Sequence, residues 1–155
     1  MARVGVNRIE FLLENLRREL DMVQTTLTGL NTDVVSLGGS GATRVLTADD
    51  SGAIVKMGGS DASTVTLPTA AEGLKFRFVA TTAHAHVING GNSKIQGGYH
   101  HNTNAATVAR VAVSYKSSLT LHNSNSAQGD TLEMWCDVTD WHVSGIFNDV
   151  ITQGS

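Results

Sequence analysis

Along residues 6–37 the apolar positions step by three and four without a break: Val6, Ile9, Leu13, Leu16, Leu20, Val23, Leu27, Leu30, Val34 and Leu37. That spacing is a heptad, about 3.5 residues per repeat step, and it predicts a helix with an apolar seam only two positions wide. The a positions are Val6, Leu13, Leu20, Leu27 and Val34; the d positions are Ile9, Leu16, Val23, Leu30 and Leu37. So narrow a seam is poorly served by packing on the chain's own domain, which needs a broader stripe. It fits an α-helical coiled coil, in which each seam side chain enters a hole on a neighbouring copy. Such a helix would be about 48 Å long. Leu at a beside a β-branched d residue, as in Leu20 and Val23, leans towards trimers, while the seam alone leaves dimer and trimer open.

Helix propensity changes midway. Residues 8–23 hold helix formers and charges, with Glu14 and Arg18 spaced i,i+4. Residues 24–37 contain Thr25, Thr26, Thr28, Gly29 and Thr32, which are poor helix formers. There the expectation is a seam that persists while the helix frays or becomes an extended stem. Phe11 and Leu12 fall outside the seam, at f and g. They are either shielded by Arg8 and Asn15 or form a docking patch for another protein.

After a Gly/Ser linker, 38–43, the period becomes two. Short strands are predicted at Arg44–Thr47, Ala53–Met57, Ser63–Leu67 and Lys75–Val79. Gly-, Ser- and Asp-rich turns separate them, among them Asp49-Asp50-Ser51-Gly52. His84–Ile88 and Ser93–Gln96 read as a hairpin around Asn89-Gly90-Gly91-Asn92. Thr107–Tyr115 with Ser118–His122, and Thr131–Val138 with Trp141–Phe147, read as two more pairs. No helical period interleaves with them, which argues against an α/β fold. The expected architecture is an N-terminal coiled coil, 1–37, followed by an all-β domain, 44–151, of antiparallel sandwich or jelly-roll type, with a short tail, 152–155, in a homotrimer.

Composition supports short strands and tight turns. The 155 residues include sixteen glycines and one proline, with 16% charged and 5% aromatic residues. The net charge is −3, and acidic residues outnumber Lys and Arg on both sides of residue 37. Neither half offers the basic patch that nucleic acid or an anionic membrane would require. Cys136 is the one cysteine, so no intrachain disulfide forms; in a small protein this favours a cytosolic site of folding. The first residues carry no apolar core of a signal peptide, and no run is long enough to span a bilayer.

Few residues suggest chemistry. His84 and His86 lie two apart in an expected strand and would share one face. Three such pairs on a trimer axis could offer six imidazoles to a transition metal; equally, Ala83 and Ala85 could be the buried face and the histidines plain surface. His100 and His101 fall in an expected loop, 97–104, and His122 and His142 stand alone. Glu133 and Asp137 are too far apart along one strand to make a catalytic pair across a cleft. The glycine-rich stretches lack the lysine and the strand-to-helix setting of a phosphate loop. Cys136 alternates with Leu132 and Met134 and reads as buried and inert. Trp135 falls on the opposite face. It is either a subunit contact or a platform for a sugar ring, in the second case with Trp141 or Tyr99 beside it. No catalytic residue and no cofactor is expected.

Three stretches carry a resemblance: Arg44-Val45-Leu46-Thr47-Ala48-Asp49-Asp50-Ser51-Gly52, then Thr64-Val65-Thr66-Leu67-Pro68, then Gly73-Leu74-Lys75-Phe76-Arg77-Phe78. Together they resemble a β-structured module of tailed-bacteriophage virion proteins, and Leu132–Phe147 resembles its closing hairpin. The resemblance covers residues 44–97 and, more loosely, the C-terminus. It implies a trimeric appendage on a phage particle, made in the host cytoplasm and carried on the virion: a capsid decoration or head-fibre protein, or a tail fibre. The implied partners are further copies of the chain, the major capsid protein or other virion proteins, and, for a tail fibre, a host surface glycan. Larger tail spikes of this kind bear long β-helical enzyme domains; this chain is too short for one and shows no such repeat.

Overall fold

The computed structural model describes the backbone of residues 6–28, 33–104, 107–121, 129–148 and 151–155, and the side chains of all of these except 6–7, 23–28, 102–104 and 107. The chain divides into two compact units, residues 1–32 and 33–155.

The first unit is one helix, α1, Val6–Thr28. It covers the helix-forming, charged stretch and also Thr25, Thr26 and Thr28, where low propensity led to the expectation of fraying. At 23 residues it is about 35 Å long. No coiled coil is shown: the described residues hold one α-helix, which spans Val6–Thr28, whereas the last expected seam positions, Val34 and Leu37, lie in a strand. Ile9, Leu13, Leu16 and Leu20 lie on the helix and are about half exposed or more, as are Phe11 and Leu12. Val6, Val23 and Leu27 are helical in backbone, their side chains outside the description, and Leu30 lies outside the described residues. Val34 and Leu37 belong to the β-unit. The heptad steps continue into Val34–Leu37 by coincidence of spacing, but this stretch opens on the β-branched pair Val34-Val35 and finds a strand partner.

The described residues of the second unit form twelve strands in two sheets that share one core. They are β1 (Val34–Leu37), β2 (Thr43–Val45), β3 (Ile54–Met57), β4 (Thr64–Thr66), β5 (Lys75–Ala80), β6 (Val87–Asn89), β7 (Ile95–Asn104), β8 (Thr107–Lys116), β9 (Ser118–Thr120), β10 (Thr131–Cys136), β11 (Trp141–Phe147) and β12 (Thr152–Gln153). The larger sheet runs β1-β3-β5-β10-β11-β7-β8, the smaller β12-β9-β6-β4-β2.

The sheets are mixed, not antiparallel. From β1 to β6 the chain alternates between sheets, and each strand lies parallel to the one two before it. Val34 pairs with Ile54 and Ile54 with Arg77; Thr43 pairs with Thr64 and Thr64 with Val87. Three successive turns of chain therefore stack in register at a spacing of 20 to 23 residues. Core columns result: Leu37 beside Met57 beside Ala80, and Val35 beside Val55 beside Phe78. Gly38-Gly39-Ser40 and Gly58-Gly59-Ser60 mark equivalent corners of this winding. Gly59, at φ +109°, lies so close beneath the Gly38 and Gly39 carbonyls that a Cβ would come within 2.6 Å of Gly39 O. The expected linker, 38–43, forms the exposed corner between β1 and β2 and the first residue of β2, and Ser40 Oγ bonds the Asp61 carboxylate there.

Two expected hairpins are crossovers. Val87–Asn89 lies in the smaller sheet and Ile95–Asn104 in the larger, the chain passing between them through Gly90, whose N–H bonds Ser117 O at 2.8 Å. Likewise β8 and β9 lie in different sheets and part at Ser117, just past Tyr115, which takes φ +49°. The last hairpin forms as read, with Cys136 opposite Trp141 and Thr131 opposite Ile146. The expected tail is strand β12, held by Thr152 opposite Thr120 and by the Ile151 N–H donating to Tyr99 Oη at 2.7 Å. No described helix is long and apolar enough to cross a membrane.

Candidate functional site

Strand β10 alternates cleanly. Leu132, Met134 and Cys136 enter the core, while Glu133 and Trp135 face outward. Its neighbours do the same, so the register fixes which residues meet outside: Lys75, Trp135 and His142 form one row, and Arg77, Glu133 and Ser144 the next. Trp135 is 50% exposed, unusual for an indole with no other apolar cover.

One face of that indole is taken. The His142 ring stacks on it, 4.1 Å between centroids and 9° between planes. His142 Nε2–H donates to Asp137 Oδ2 at 2.7 Å. Asp137 is itself held by the turn between β10 and β11: its Oδ1 accepts the N–H groups of Thr139 at 2.7 Å and Asp140 at 2.8 Å. The Asp140 N–H, then the His142 and Thr139 bonds, hold this exposed carboxyl far below the usual carboxylate range. The turn therefore anchors Asp137, Asp137 anchors His142, and His142 fixes Trp135.

On its other side Trp135 neighbours Lys75 of β5. There lies a shallow recess of about 300 Å³ lined by Gly52, Lys75, Phe76, Arg77, Glu133, Met134 and Trp135. Arg77 Nε stands 4.0 Å from Glu133 Oε1, with both side chains more than half exposed. The recess combines an aromatic wall, two cations, one carboxylate and a glycine at its rim.

The other residues singled out from the sequence do not join Trp135. Trp141 is fully buried, packs in the core against Phe76 with the rings tilted and 5.7 Å between centroids, and donates its indole N–H to Pro68 O at 3.3 Å. Tyr99 is fully buried against Phe147 and accepts the Ile151 N–H. Neither can present a ring to a ligand. The alternation within each strand separates Trp135 from Trp141, since both face the way their neighbours dictate. Asp137 and His142 carry the platform, and sequence reasoning missed them. The available signal was positional: Trp135 and His142 sit where a hairpin closing at Asp137–Asp140 places them opposite one another.

The histidine pair is arranged otherwise than expected. The strand that was to carry it begins only at Val87. His86 is fully buried: its Nδ1 accepts the Ser63 N–H at 3.0 Å, and its Nε2–H donates to Thr82 O at 3.1 Å. Both ring nitrogens are committed, which leaves none for a metal, and burial pushes the His86 pKa down. His84 meets His86 edge to face at 6.0 Å. His100 and His101 lie on β7, with His101 buried; His122 is outside the described residues. No group of three or more His, Cys, Asp or Glu side chains among the described residues could hold a metal ion. Cys136 is buried with its thiol directed at Asp137 O and Asp140 O, and desolvation raises its pKa. Glu133 and Asp137 lie on opposite sides of Trp135 and engage different partners.

Compared with protein-family models, with curated proteins and with solved structures, the chain matches none.

Proposed function

We propose that this chain is a non-enzymatic structural protein of a tailed-bacteriophage particle, a homotrimeric capsid decoration or head-fibre protein that docks on the shell through its N-terminal unit and displays its β-unit. The observation that carries the reading is the helix. Ile9, Phe11, Leu12, Leu13, Leu16, Leu20 and Met22 are all between 48% and 68% exposed. So many large apolar side chains on one helix mark a surface that another protein covers. Phe11 and Leu12 are the proposed contacts to the major capsid protein. Three linked copies would multiply a weak contact into a firm one. The resemblance of residues 44–97 to phage appendage modules supports the same assignment.

The test is co-sedimentation with particles that lack the protein. Intact chains should bind at saturating stoichiometry, and chains lacking residues 1–20 should stay in the supernatant. Stoichiometric binding by the truncated chain would overturn the assignment.

A second reading rests on Trp135. An exposed indole held rigid beside a recess suits the C–H face of a sugar, which would make the chain a tail-fibre or adhesin component that binds a host surface glycan. Adsorption that survives Trp135→Ala unchanged would remove its support.

A further inference from the structure

We propose that the recess beside Trp135 binds an acidic pyranose, a sugar carrying a ring carboxylate, as one residue of a surface glycan. The inference rests on the reading of Trp135 as a sugar platform and adds the ligand's charge. The pyranose C–H face lies on the free face of Trp135. Its carboxylate reaches Lys75 and Arg77, which line the same recess. Glu133 accepts from ring hydroxyls.

Three features select an acidic sugar over a neutral one. Two cations face one carboxylate across the recess, so the site carries a net positive charge. The Arg77–Glu133 contact is long, 4.0 Å, and open to solvent, so it holds the guanidinium only weakly. A guanidinium fork matches a carboxylate by two parallel bonds, which a neutral hydroxyl cannot reproduce. The chain of bonds from the turn through Asp137 and His142 fixes the indole before the ligand arrives, which lowers the ordering cost of binding. A volume of about 300 Å³ is at the small end of ligand sites and suits one sugar residue, not a protein helix.

The experiment titrates the full chain with oligogalacturonate, with a sialylated trisaccharide and with neutral galacto-oligosaccharides, up to about 100 mM sugar. Tryptophan fluorescence reads the binding, because Trp141 is buried and Trp135 alone is open to the ligand. An acidic sugar should change the emission and saturate, and added salt should weaken it. Lys75→Met and Arg77→Met should each weaken binding about tenfold. Trp135→Ala should abolish the ligand-induced shift of the Lys75 and Arg77 backbone amides in NMR spectra. Equal binding of acidic and neutral sugars, unaffected by Lys75→Met, would overturn the acidic specificity and leave the sugar platform standing. No response to any of the sugars, by fluorescence or by amide shifts, would overturn both.

Discussion

Trp135 and Trp141 are six positions apart and answer to opposite demands. Trp141 fills the core and has its indole N–H bonded, so Trp141→Ala should cost about 3–5 kcal/mol in urea unfolding. Trp135 is half exposed, and Trp135→Ala should change stability by no more than about 1 kcal/mol. A large loss for the Trp135 variant would mean that the stack on His142 supports the fold and not a ligand. The sequence shows the outward Trp135 through alternation, because Leu132, Met134 and Cys136 already define the inward face, but it does not show Trp141 buried. His86 was beyond reach from sequence, since its burial depends on Ser63 and Thr82 from neighbouring segments. Its lowered pKa has a sign that can be tested. The unfolded chain binds the proton near the ordinary value of 6.5 and the folded chain only at lower pH. Stability that His86 permits is therefore complete above about pH 6.5 and declines as pH falls below it. His86→Gln should flatten the stability profile between about pH 7 and 5. A wild-type profile level across that window would contradict the buried neutral ring. Asp137 acts in a separate window: its depressed pKa contributes stability above the ordinary carboxylate range, lost only in strong acid.

At the scale of elements, the boundary between helix and sheet is the main departure from the sequence pattern. A 3-4 spacing counts apolar positions and is blind to where the backbone stops being helical. The helix runs on through Thr25, Thr26 and Thr28 despite their low propensity, and β1 begins at Val34. Two truncations separate the alternatives. Residues 33–155 should fold with an intact β-unit, whereas residues 38–155 lose β1 and expose the Val55 and Met57 edge of β3. The shorter chain should show a lower unfolding midpoint; equal midpoints would mean that β1 adds nothing. Parallel winding was hidden for a related reason. The repeat of Gly-Gly-Ser at 38–40 and 58–60 is visible, but a 20-residue spacing repeated so few times resembles ordinary turn composition. Only the register of β1, β3 and β5 turns it into a stacked corner. Gly97 shows a close approach of the same kind, where a Cβ at φ +125° would sit 2.4 Å from Val143 O. Gly97→Ala should destabilise by about 2 kcal/mol or more, measured by thermal unfolding.

For the whole molecule, the two units divide the work. The β-unit gathers most of its large apolar residues into one core and carries an aromatic recess on its larger sheet. The helix keeps its apolar residues uncovered, which an isolated helix in water does not tolerate well. A homotrimer predicts a sedimentation mass three times the 16.4 kDa chain mass. The proposed role on a phage shell is tested most directly by electron microscopy of particles carrying a gold-labelled antibody against the β-unit. Gold at regular positions on the capsid, lost when residues 1–20 are deleted, is the expected result. Unlabelled particles, with the chain left entirely in the soluble fraction of the lysate, would contradict it.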